Sequence, residues 1–165
     1  MTRLKDRSAS GPFAKLICDS FEADLLPVLR CLVASLSTAD PTLWQKATSK
    51  SIEHWGDALG HPIAHRLGHL VIAVYRCREG KLDLQQPWAK DHDDAVTDDE
   101  VKLITMLHHM RRDEVADARR AVDDLTFGIM DPDVIRAGLS FATRFSCGRQ
   151  GQQRSTGAPK LSVVS

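Results

Sequence analysis

Three histidines, His61, His65 and His69, recur at intervals of four residues in one stretch of the chain. Residues four apart on a helix lie one above the other, so two imidazoles placed this way can converge on a single zinc ion at about 2 Å. His65 and His69 are the candidate metal ligands, with His61 or an acidic side chain as a further donor. A helical wheel at about 100° per residue qualifies this chemistry. Leu67, Leu70, Val71 and Val74 cluster within roughly 80° of Ile63, whereas His65 and His69 fall roughly 160° and 120° away. The pair faces away from the core, and neither an H-E-x-x-H motif nor a cysteine pair closes a site around it. The leading expectation is a surface formed by His61, His65, His69 and Arg76 that meets an unidentified protein partner. Metal binding by the His61/His65/His69 face is the alternative.

Other reactive residues are scattered. His108 and His109 are adjacent, which points them about 100° apart on a helix and makes shared ligation of one ion unfavourable. His54 beside Glu53, and His92 among Asp91, Asp93 and Asp94, could act as acid–base groups, but the acidic run lacks the glycine and ligand alternation of a calcium loop. No G-x-S-x-G elbow supports a nucleophilic serine, and no glycine-rich phosphate loop supports nucleotide binding. Cys18, Cys31, Cys77 and Cys147 are widely spaced with no C-x-x-C pair, and read as reduced structural thiols. The chain is therefore expected to be non-enzymatic, with no cofactor and no catalytic residue.

Composition narrows the partners. Twenty-two basic and 22 acidic residues balance to zero net charge, without the basic excess that phosphate neutralisation favours. Nucleic acid is not an expected partner. Neither is a membrane, because the longest uncharged apolar run, Leu67 to Tyr75, is about half a bilayer span. The apolar run Phe13–Cys18 is interrupted by Lys15 and too short for a signal core, so a cytoplasmic location is expected.

The elements that must carry these residues read as helices throughout. Phe13, Leu16, Ile17, Phe21, Leu25 and Val28 have helical spacing, and Pro27 predicts a kink or break near Leu25–Pro27. Val28–Leu36 is a dense apolar run expected to be buried on most sides. Asp40-Pro41 is a helix start, and Trp44, Ala47, Trp55 and Leu59 mark one face of a helix expected to stop at Gly60. His61-Pro62 is expected to begin the next helix, which runs to Gly80. Lys81 to Val96 has no period and reads as a long connection, with Trp88 as an anchor into the core.

Thr97 and Glu100 form a T-x-x-E capping box ahead of Leu103, Met106, Leu107 and Met110. A turn at Arg112-Asp113 leads into a helix carrying Val115, Ala118, Val122 and Leu125. Its outer face offers Arg119–Asp123 and Arg120–Asp124 pairs. Asp131-Pro132 starts a last helix through Phe145. The predicted organisation is all-α, a bundle or orthogonal array of about five to seven helices. It has a flexible N-terminus over 1–11, a helical domain over 12–146 and a disordered tail over 147–165.

The hairpin from Asp98 to Phe127 resembles one tetratricopeptide unit in having Ala118 at its crossing. The tryptophan, glycine and tyrosine positions of that family are unmatched, and no copy recurs at 34 residues. As a helix-turn-helix the hairpin would present Arg119 and Arg120, but Asp117, Asp123 and Asp124 alternate with them and repel phosphate. The register from Asp98-Asp99-Glu100 to Ala118-Arg119-Arg120 resembles small bacterial helical proteins without an assigned activity. A bacterial regulator or adaptor is the resulting expectation.

Overall fold

A computed structural model describes residues 18–88 and 95–148. Among them are six helices and no strand: α1 (Ser20–Thr38), α2 (Pro41–Trp55), α3 (Asp57–Cys77), α4 (Asp98–Arg111), α5 (Val115–Thr126) and α6 (Pro132–Arg144). The fold is all-α. The flexible stretch expected over 1–11, most of the tail after Cys147, and the acidic run at Asp91–Asp94 lie outside the described residues.

The helix starts follow the side chains that satisfy otherwise orphaned backbone N–H groups. Asp19 accepts from the Glu22 N–H while the Glu22 carboxylate accepts from the Asp19 N–H, a complete capping box for α1. Thr97 and Glu100 do the same for α4. Asp40 and Asp131 cap α2 and α6, each followed by proline at the first helical position.

Helix α1 runs unbroken through Pro27, where a kink or break was expected. The prolyl ring lies on the exposed side, while Leu25, Leu26, Val28 and Leu29 around it are buried. Their burial, at about 1.5–3 kcal/mol each, outweighs a proline penalty of about 3 kcal/mol.

Gly60 is not a helix stop and His61-Pro62 is not a restart. The break falls at Gly56, whose φ of 78° reverses the chain, and α3 begins at Asp57. Gly60 is instead a contact point. A Cβ there would lie 2.5 Å from the Ile52 Cα, and the Ser51 hydroxyl donates to the Gly60 carbonyl at 2.8 Å. Eight residues on, the Trp44 ring covers Gly68. Helices α2 and α3 therefore form an antiparallel pair held at glycine distance. Leu59 follows this shift in boundary: it belongs to α3 and is exposed, not inward.

α4 and α5 form a second hairpin, α1 packs on α2, α3 and α4, and α6 closes against α3 and α4. The core between them is continuous, built around Leu25, Leu29, Leu32, Leu67, Leu70, Leu103, Leu107, Leu125 and Phe141. Val28 through Ala34 is buried almost without interruption apart from half-buried Arg30, as its apolar density implied. Trp88 does not anchor the connection after α3 and stands exposed; Leu82 and Leu84 are buried in its place. The backbone N–H groups of Asp83 and Gln85 donate to Asp99 and Glu100 at 2.8 and 3.0 Å, tying this segment to the start of α4.

Candidate functional site

Helix α3 turns its polar side toward the start of α6, leaving a groove of about 460 Å³ between them. His65, Arg66, His69 and Arg76 line one wall; Asp131, Asp133, Arg136 and Ser140 line the other. Three of the four surface residues expected from sequence thus share one groove. His61, a turn before His65, is exposed but does not line it. Arg66, Arg136 and Ser140 were not foreseen, because only the packing of α6 on α3 brings them there.

Several groove residues are already engaged. Asp131 accepts from the N–H groups of Asp133 and Val134 as the cap of α6, and Asp133 accepts from Arg136 at 2.8 Å. Arg66 donates to the carbonyl and hydroxyl of Ser140. With three guanidiniums, two carboxylates and the positive end of α6 nearby, the groove has a cationic bias.

His65 and His69 stand in an edge-to-face arrangement with their Nε2 atoms 3.2 Å apart. Both are exposed, as the wheel requires. Two ligands on a tetrahedral ion at about 2.05 Å would be separated by about 3.3 Å, so the pair has the spacing of a two-point chelate. Among the described residues no third histidine, cysteine or carboxylate joins it within ligand distance.

A second polar centre lies between the start of α1 and the end of α4. Glu22, fully buried, receives Arg111, Arg112 at 2.7 Å and His108 Nδ1 at 2.9 Å. Burial works to raise the Glu22 carboxyl, but hydrogen bonds from Arg112, His108 and the Asp19 backbone prevail and hold it below its ordinary range. Asp19 is held low in the same way: burial opposes, while the Glu22 N–H and Arg111 dominate. From the middle of α1, Arg30 binds Glu100 through two nitrogens at 2.7 and 3.1 Å. Arg78 likewise grips Asp99 at 3.0 and 3.1 Å and lies 4.0 Å from the Phe127 ring centre.

His109 Nδ1 lies 2.6 Å from Glu114, bringing this carboxylate to the adjacent histidines. His108, His109 and Glu114 each place a ligand atom within 4.8 Å of the others. Glu114, returning from the following turn, adds a third donor to the two neighbouring histidines. His54 pairs with Asp24 at 3.0 Å. His92 lies outside the described residues. The four cysteines are unpaired, and burial pushes the Cys18, Cys31 and Cys77 thiols up, which disfavours the reactive thiolate. No family model, curated protein or solved structure matches this chain.

Proposed function

We propose that this chain is a non-enzymatic regulator or adaptor that binds an acidic segment of a partner protein in the α3–α6 groove. The observation that carries this reading is the gathering of Arg66, Arg76 and Arg136 with His65 and His69 along one concave seam. Guanidiniums recognise carboxylates through paired N–H donors, and Arg76, at the exposed end of the groove, is the best placed to do so. Among the described residues no helix is long and apolar enough to cross a membrane. Four unpaired cysteines suit a reducing compartment, so the bacterial cytoplasm is the proposed setting.

Fluorescence anisotropy with a labelled Asp/Glu-rich peptide tests the reading. Binding should weaken with added salt and fall about tenfold in an Arg76→Ala/Arg136→Ala variant, with no change in melting temperature. The same loss in an Arg119→Ala/Arg120→Ala variant would mean that charge is being sensed everywhere, and the groove would lose its role.

Metal capture by His65 and His69 is the second reading, supported by their 3.2 Å separation. A His65→Ala/His69→Ala variant that loses a dialysis-resistant ion would establish it; chelator treatment that leaves melting unchanged would refute it.

A further inference from the structure

We propose that His108, His109 and Glu114 form a binding site for a zinc-class divalent cation, with Glu22 as the outer carboxylate that orients His108. The site is separate from the groove between α3 and α6 and does not depend on the function proposed for it.

The donors come together through the end of α4. His108 and His109 occupy its last turn. Asp113 takes a left-handed φ of 57°, and the Glu114 N–H returns to the His109 carbonyl at 3.0 Å. That reversal sets the Glu114 carboxylate over His109, 2.6 Å from Nδ1. The two imidazoles meet edge to face with ring centres 5.2 Å apart.

His108 carries the feature that distinguishes a ligand from an ordinary surface histidine. Its Nδ1 lies 2.9 Å from Glu22, a carboxylate that also accepts from Arg111 and Arg112. A carboxylate accepting here places the hydrogen on Nδ1, and in the neutral tautomer that metal binding requires this leaves the Nε2 lone pair for the ion. Metal-bound histidines commonly have this arrangement, with the other ring N–H donated to a carboxylate. Glu22 cannot drift, since it is fully buried and fixed by three side chains and the Asp19 N–H.

Charge also permits a cation. Asp19, Glu22 and Glu114 outnumber Arg111 and Arg112 around the corner, and the last carbonyls of α4 add partial negative charge. Two imidazoles and one carboxylate suit zinc-class ions better than calcium or magnesium, which favour all-oxygen shells. To reach tetrahedral spacing, donor pairs as far apart as 4.8 Å must close by about 1.5 Å and the 2.6 Å His109–Glu114 pair must open by about 0.7 Å, within the range of side-chain rotation at a half-exposed corner. Three protein ligands leave a coordination position for water or an incoming carboxylate.

The test is titration of the full chain with Co(II) alone, followed by visible absorption, and Zn(II) alone, followed by melting temperature. One ion should bind with the absorption of a four- or five-coordinate site, and Zn(II) should raise the melting temperature. His109→Ala and Glu114→Gln, both outside the core, should each weaken binding at least about tenfold, as loss of one ligand does. The His65→Ala/His69→Ala variant should keep this ion. Binding unchanged in a His109→Ala/Glu114→Gln double variant, or absent up to about 100-fold molar excess of Co(II), would overturn the assignment. If His109→Ala alters folding without metal, Glu114→Gln read by Co(II) absorption decides the matter.

Discussion

Glu22 and Glu100 are counterparts: each is the third residue of a capping-box helix, each is fully buried, and each is gripped by arginines from the other's helix. Arg30 of α1 binds Glu100 of α4, and Arg111 and the following Arg112, at the end of α4, bind Glu22 of α1. One carboxylate thereby does two jobs at each end, satisfying a helix terminus and locking two helices together.

Removing either glutamate should therefore cost far more than losing a cap. Glu100→Ala strands Arg30 and opens the end of α4, and should destabilise by about 3–5 kcal/mol, against about 1 kcal/mol for a cap alone. Asp98→Ala, which loses only an exposed pair to Lys102, should stay within about 0.5 kcal/mol. Urea melts of the two variants make the comparison.

Acid should attack the Glu22 end. Asp19 and Glu22 both titrate below their ordinary range when folded. Groups depressed in this way contribute stability that is fully present above their unfolded values, near pH 4, and disappears as pH falls through the folded values. Melting temperature should hold between about pH 6 and 5 and drop steeply below about pH 4. Glu22→Gln should start lower and show a shallower acid slope.

Glycines on two helix seams should respond differently to a methyl group. A Cβ at Gly60 would meet Ile52 backbone atoms at 2.5 and 2.7 Å, which cannot move without separating α2 from α3. Gly60→Ala should cost at least about 2 kcal/mol. At Gly138 the obstacle is the Met110 thioether, 2.6 Å away on a flexible side chain. Alanine there regains up to about 1 kcal/mol of helix propensity, so Gly138→Ala should change stability by less than about 1 kcal/mol.

Leu70→Ala, in the fully buried core, should cost about 2–5 kcal/mol. Trp55→Ala should fall toward the lower end of that range, since the ring is half-buried and packs at 5.6 Å on Phe21. Arg120→Ala should cost under about 0.5 kcal/mol. Its partner is Asp117, three residues earlier, and not Asp124 as four-residue spacing suggested.

Much of this architecture is local and was therefore readable. Thr97 with Glu100, Asp40-Pro41 and Asp131-Pro132 mark helix starts because capping is settled within four residues. Asp19 with Glu22 carries the same local signal, but the apolar period that begins at Phe13 runs across it and masks the start. The misreadings arise where tertiary contact overrides local preference. Pro27 is tolerated because the residues beside it are buried, and Gly60 serves close approach, not termination. His65, His69 and Arg76 could be placed together because they share one helix. Arg136 in the groove, and Glu114 beside His108 and His109, depend on packing and turn geometry that no periodicity encodes.

The reciprocal glutamates also set an order of events during synthesis. Glu22 meets its guanidinium partners 89 and 90 residues later in the chain. At about 5–20 residues per second, roughly 5–18 s pass at the ribosome before Arg111 and Arg112 follow it. Throughout that interval the residues that pair with Glu22 are missing, and the start of α1 lacks its lock. The α2–α3 hairpin can form early and receive α1, but the face of α1 that meets α4 stays open to chaperones until α4 emerges.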